Sequence, residues 1–382
     1  MNKSKVVFVW ENFGPMHMDR CEAVARSRDN SASVVGIELA AASDTYHWPK
    51  TTSAVFTKMT LFPDGLPRYG RSLRLTAALV RTILALGPCE TFFCHYERHS
   101  IWLSAAILRL LGRRVYVMNN SRFEEKQRHR LREFGKMVFF LPYNGALVAG
   151  GESKSYLQFL GVPESRVALG YNTLSNERIR RLSAAPPAPE GVAFSDRHFS
   201  IVARFVPKKN LVVAIEAYRQ YSKLVERPRA LHIAGYGPHE GALRKLVCDL
   251  GLSANIVFRG ALQIEGVSEM YATTLVAILT SMEEQFGNVI IEAQAMGLPV
   301  VISDRCGAWD VLVRTGVNGF VVEPDNASGF AYFMSLLSED EALWTEMALA
   351  AQRSAKAGDV ERFREGVDAV IENVGCAASA RD

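Results

Sequence analysis

The chain is expected to be an α/β protein of two doubly wound, Rossmann-like domains, and three observations carry that expectation. Its 382 residues exceed what one ordinary core holds and fall short of three. Short β-branched runs alternate with helical stretches almost from end to end, the pattern of parallel sheets covered on both faces. One strong cluster of breakers, Ser183-Ala184-Ala185-Pro186-Pro187-Ala188-Pro189-Glu190-Gly191, divides that alternation near its middle.

In the first half, strands are expected near 5–10, 33–40, 91–94, 114–118, 145–149 and 166–169, with helices filling most of the gaps. A second series starts at Phe199, with strands near 199–203, 230–234, 255–258, 276–279, 299–302 and 319–322. Asp359 to Val374 has the periodicity of one amphipathic helix. The boundaries that follow are 1–184, a linker over 185–198, 199–358, and a terminal helical segment over 359–382.

Hydrophobic residues make up 48% of the chain and charged ones 22%, which excludes disorder. The net charge of +4 hides an asymmetry: residues 1–185 hold 26 Lys and Arg against 15 Asp and Glu, and the remainder is net acidic. A basic first half suits an anionic partner, and by charge alone phospholipid surfaces, lipid-linked phosphates and nucleic acid all qualify. The six cysteines form no CxxC and no zinc-like spacing, so they are expected to be reduced, mostly buried thiols of a cytoplasmic protein. The run Val6-Val7-Phe8-Val9-Trp10 is too short for a signal sequence or a membrane span.

Candidate site residues lie where predicted strands end. Gly14, in Glu11-Asn12-Phe13-Gly14-Pro15, fits a ligand loop and equally an ordinary strand-to-helix turn, since no GxGxxG follows. His95 closes strand 91–94, while Asn119 and Asn120 close strand 114–118, at the carboxyl ends where open α/β sheets bind ligands; helix capping is the plain alternative. No partner carboxylate for His95 is fixed by spacing. Residues 122–140 carry a basic surface with Phe123, Leu131, Phe134 and Val138 as an apolar stripe. Such a segment can dock on an anionic membrane, or it can turn the stripe to its own core, and Glu124, Glu125 and Glu133 interrupt the basic run.

In the second half, Arg204 and Lys209 project from the turn after strand 199–203, where a guanidinium and an ammonium can clamp a diphosphate. Thr280 to Val301 runs as strand end, loop, helix, Gly stop, Pro and next strand. Glu284 falls in that loop, and Glu292 about one turn inside the helix. The amides of Phe286, Gly287 and Asn288 fall at the helix start, where phosphate or sugar oxygens are favoured.

Arg204 and Lys209, then Gly235-Tyr236-Gly237-Pro238, then Val257-Phe258-Arg259-Gly260, then the two glutamates with seven residues between them resemble the C-terminal domain of family-4 retaining glycosyltransferases of the GT-B fold. The order and spacing match over roughly 199–330, and Gly150-Gly151-Glu152 through Gly170-Tyr171-Asn172 is similar to the end of that family's first domain. The resemblance implies two domains facing across a cleft, with the terminal helix returning to the first. It also implies transfer from a nucleotide sugar with retention and without a metal.

The implied donor site is Gly14, Arg204, Lys209, Gly235, Phe258, Glu284, Phe286, Gly287, Asn288 and Glu292, with Glu284, Arg204 and Lys209 catalytic. His95, Asn119 and Asn120 are candidate acceptor or sugar contacts; many relatives carry a His where Asn119-Asn120 stands. No cofactor is implied beyond the donor, a UDP-sugar before a GDP-sugar. The acceptor is a lipid-linked or soluble saccharide, with peripheral contact to an anionic membrane at its inner face and none to nucleic acid. A GT-B epimerase and a catalytically silent nucleotide-sugar-binding subunit are the alternatives.

Overall fold

A computed structural model describes residues 4–28, 33–41, 52–66, 71–123 and 130–379. They form two compact units, 1–174 with 360–382, and 175–359.

The first unit runs β1 (Val6–Trp10), α1 (Pro15–Arg26), β2 (Val34–Ala40), β3 (Thr57–Phe62), α2 (Arg71–Ala85), β4 (Glu90–Phe93), α3 (His99–Leu110), β5 (Arg114–Asn119), α4 (Arg130–Phe140), β6 (Gly145–Val148), α5 (Gly151–Phe159) and β7 (Val167–Leu169). Its seven strands are parallel in the order β3-β2-β1-β4-β5-β6-β7. Successive β1 residues feed opposite faces: Val7 and Val9 join one core, and Val6, Phe8 and Trp10 the other. Strand β3 was not expected from sequence. It is an edge strand of mostly half-buried residues, so its apolar signal is weak.

The second unit runs α6 (Asn176–Ser183), β8 (His198–Val202), α7 (Leu211–Tyr221), β9 (Leu231–Ala234), α8 (Glu240–Asp249), β10 (Ile256–Gly260), α9 (Ile264–Ala272), β11 (Thr274–Leu279), α10 (Asn288–Ala295), β12 (Val300–Ser303), α11 (Trp309–Leu312), β13 (Gly319–Val322), α12 (Ala327–Glu339) and α13 (Glu341–Ser354). Its sheet is also parallel, in the order β10-β9-β8-β11-β12-β13.

The boundary falls earlier than the expected 184. Helix α6 packs on α9 and α10 and belongs to the second unit. Nor is the proline-rich segment a loose linker. Ala188 donates its amide to the Met296 carbonyl at 2.8 Å and accepts from Gln352 Nε2 at 2.5 Å. Buried Arg197 spends its guanidinium on the carbonyls of Glu190, Val192, Ala272 and Thr274 and lies over the Trp344 ring.

The last helix, α14 (Val360–Ser379), packs on α1, β6 and β7 of the first unit. Phe363, Val367 and Val370 on it are fully buried, each contributing about 1.5–3 kcal/mol of apolar burial. Gly366 lets the helix approach β7 closely: a Cβ there would lie 2.1 Å from the Leu169 carbonyl oxygen and 2.6 Å from Leu147 Cδ1. Arg28 Nη2 adds an ion pair to Asp368 Oδ1 at 3.1 Å.

Helix α4 answers which way the 122–140 stripe faces. Glu133, Met137 and Phe140 turn inward, with Tyr156 Oη donating to Glu133 Oε2 at 2.5 Å. Phe134 and Val138 of the stripe face solvent at 75% and 48% exposure, as does Leu141 beyond it at 75%, while Phe123 meets the buried Tyr156 ring edge-on. Arg128 lies outside the described residues, as do the side chains of Arg130, Leu131 and Arg132.

Candidate functional site

In the second unit, three loops leave the carboxyl ends of adjacent parallel strands, where open α/β sheets bind ligands. After β8 the chain passes Arg204 and turns at Pro207–Lys209. It then enters α7 through Asn210 in the left-handed region, φ 54°, pinned by its Nδ2 donating to the Pro324 carbonyl at 2.7 Å.

The loop after β9 lies against this one. Phe205 donates its amide to the Tyr236 carbonyl at 2.8 Å, and His239 returns one to the Phe205 carbonyl at 3.2 Å. Gly235, φ 143°, is required by that approach, since a Cβ would sit 1.8 Å from the Ala203 carbonyl oxygen. Its amide is already taken by the Gly260 carbonyl at 2.8 Å, so Gly235 shapes the loop rather than offering a donor to a ligand. Phe258 is likewise a wall residue: its ring meets Phe205 edge-on at 6.0 Å and Arg244 lies over it at 4.5 Å.

The loop after β11 closes the group. Thr280 Oγ1 donates to the Lys209 and Asn210 carbonyls, and Met282 gives its amide to the Lys208 carbonyl at 2.8 Å. These bonds bring together side chains 75 residues apart: the Lys209 ammonium donates to Glu284 Oε2, and Lys208 pairs with Glu283 at 3.4 Å. Arg204 is exposed and, among the described residues, held by no ion pair.

Phe286 is buried, and its carbonyl accepts from the Ala308 amide and the Cys306 thiol, so it anchors the loop through packing rather than through a ring turned to a ligand. Gly287 caps α10 with φ 101°, its missing Cβ leaving room for Cys306 Sγ. The amides of Phe286 and Gly287 have no acceptor among the described residues, and Asn288 begins the helix, so donors remain at its positive end.

Glu292 stands in the second turn of α10 and does not join the Lys209–Glu284 pair. Its neighbours are Tyr271 on α9 and Arg178 on α6. Burial pushes its carboxyl up to about 7, with Arg178 pulling back, and among the described residues it accepts no hydrogen bond. Arg178 was missed in the sequence because it belongs to a helix on the far side of the supposed linker and no spacing ties it to Glu292.

In the first unit, the Gly14 amide is taken by His17 Nδ1 at 3.0 Å, so the turn is closed by its own helix. His95 takes φ 59° and does have a carboxylate partner, with Glu97 Oε1 3.5 Å from Nδ1. The adjacent Cys94 sulfur raises the imidazole's pKa against the effect of burial, and Glu97 adds to the rise, favouring the protonated form. Cys94 also lies 3.2 Å from Tyr171 Oη. Asn119 ends β5 almost fully buried. Its Oδ1 accepts the Ser121 amide at 2.8 Å, while its Nδ2 has no partner among the described residues; half-buried Asn120 follows.

Two parallel α/β units of seven and six strands, the second ending its strands in basic and acidic loops, have the GT-B fold. The fold matches the lipopolysaccharide outer core galactosyltransferase WaaB at TM-score 0.72 and 15% identity, over 96% of this chain and 99% of that one. It matches HepE of Anabaena, crystallised with UDP and glucose, at TM-score 0.71 and 16% identity, over 97% of this chain and all of that one. Residues 190–357 match the family described as Glycosyl transferases group 1.

In sequence it is 33% identical over 147 residues to the lipopolysaccharide core biosynthesis glycosyltransferase LpsE of Rhizobium meliloti, 38% of this chain and 41% of that one. It is 31% identical over 151 residues to an uncharacterised glycosyltransferase of Methanocaldococcus jannaschii, 39% of this chain and 38% of that one. The matches thus span about two fifths of each relative.

Proposed function

We propose that the chain transfers a sugar from a nucleotide diphosphate donor, a UDP-sugar before a GDP-sugar, to a saccharide acceptor in bacterial polysaccharide or glycoconjugate assembly. The transfer retains anomeric configuration and uses no divalent cation. The observation that carries the reading is the meeting of Lys209 and Glu284, beside exposed Arg204 and the start of α10. Lys209 and Arg204 neutralise the diphosphate as it departs, and the acid freed from Lys209 takes sugar hydroxyls. Glu292, half-buried with open acceptor positions, takes the ribose hydroxyls.

In the front-face step, the acceptor oxygen bonds to the anomeric carbon as the bond to the diphosphate oxygen breaks. The diphosphate takes the acceptor's proton, so positioned charge rather than a side-chain base lowers the barrier. His95, Asn119 and Asn120 are the candidate contacts of the first unit to the sugar or acceptor, Asn119 through its Nδ2 donor. Lipid-linked acceptors at the inner face of an anionic membrane suit the basic first unit and the outward stripe of α4. No helix among the described residues is long and apolar enough to cross a membrane.

The test is donor consumption with UDP- and GDP-sugars, with the product's anomeric configuration read by NMR and chelator present throughout. Glu284→Gln is expected to lower turnover by about 10²-fold or more while changing nucleotide affinity little. Equal activity of the variant removes Glu284 from the mechanism, and activity abolished by chelator removes the metal-free step.

A further inference from the structure

The second unit has another recess away from the strand ends that carry Arg204, Lys209 and Glu284. A cavity of about 240 Å³ is lined by His198, which opens β8, by His232 of β9 and Arg259 of β10, and by Glu269, Met270 and Thr273 at the end of α9. His198 and His232 stack with ring centroids 3.7 Å apart. His198 is 8% exposed, and its Nε2 has no hydrogen-bond partner among the described residues. Ser200, two residues along the same strand face, is fully buried with its Oγ in the same condition. The cavity thus gathers two imidazoles, a guanidinium and a carboxylate from three adjacent strands and one helix.

We propose that this cavity binds a small phosphomonoester carrying hydroxyl groups. Arg259 presents a guanidinium, the group best matched to phosphate oxygens, and the half-buried His232 imidazole adds a ring N–H donor. The Glu269 carboxylate supplies the acceptor that hydroxyl groups need. The Thr273 hydroxyl donates to the Met270 carbonyl at 3.1 Å and keeps its lone pairs for the same purpose.

The charged groups facing the rings are Arg259, Glu269 and the buried Arg197. Burial, then the neighbouring imidazole, Arg259 and Arg197, push His198 down to about 3; burial and Arg259 lower His232. The cavity therefore presents neutral rings beside a cation.

Calorimetric titration of the full chain with inorganic phosphate, glycerol 3-phosphate and glucose 6-phosphate tests this directly. The expected result is one saturable site that prefers a phosphomonoester over inorganic phosphate. Arg259→Gln, a change at an exposed side chain, is expected to weaken it by about tenfold or more. Arg204→Gln/Lys209→Gln is expected to leave it within about twofold, which separates it from diphosphate binding at the other strand ends. The proposal is overturned if none of the three compounds binds saturably, or if binding is lost in Arg204→Gln/Lys209→Gln and unaffected by Arg259→Gln.

Discussion

Glu292 ties the stability of the second unit to the nucleotide binding proposed for it. An unfolded chain ionises this carboxyl near 4.3, whereas burial holds it to about 7 in the folded unit. Between those values the folded state binds more protons, so stability falls as pH rises through the window and levels off above it. Glu292→Gln is expected to raise the thermal midpoint at pH 8 by an amount worth about 1–3 kcal/mol and to leave it unchanged near pH 4. The same variant is expected to bind UDP about tenfold more weakly, and wild-type affinity to drop as pH falls through about 7, both measured by calorimetry. A variant less stable at pH 8 contradicts the desolvated carboxylate. The glutamate was visible in the sequence because the Glu-x7-Glu spacing straddles a helix start, whereas its perturbation by burial was not, since neither α6 nor α9 is tied to it by spacing.

Among the elements, parallel strands with hydrophobic runs were the most legible, and the features set by packing between distant segments the least. Strand β3 escaped because edge position leaves it half-polar. The facing of α4 escaped because its inward side is built around Glu133, hydrogen-bonded to Tyr156 and Lys136, which no hydrophobic pattern announces. The loops carrying Lys209 and Glu284 were legible as strand-end loops, but their mutual ion pair was not, because it depends on Thr280 and Met282 tying one loop to the other.

Helix α14 offers a test at this scale. Gly366→Ala gains about 1 kcal/mol of helix propensity but forces a methyl group onto the Leu169 carbonyl, where yielding means moving β7. A net loss of about 1–3 kcal/mol is expected, read as faster amide exchange in β6 and β7. Unchanged exchange there contradicts the close approach.

At the scale of the whole molecule, charge is segregated between the two halves of the chain, and the basic half carries the outward apolar side of α4. Binding to vesicles containing anionic lipid is expected to fall as salt is raised. Phe134→Ser with Leu141→Ser is expected to reduce it by about tenfold or more at fixed salt, measured by cosedimentation. Equal binding by the variant assigns α4 to another surface role.

The second unit is also one uninterrupted stretch set inside the first, entered after Leu174 and left at Val360, whose amide donates to the Leu174 carbonyl at 3.1 Å. That closure has a consequence for biosynthesis. On the ribosome, the first sheet emerges early but waits, with the surface meant for Phe363, Val367 and Val370 still bare, until the whole inserted unit has been translated. The nascent chain therefore passes through an interval in which the part made before the inserted unit is less finished than that unit, and that interval is when a chaperone has most to hold.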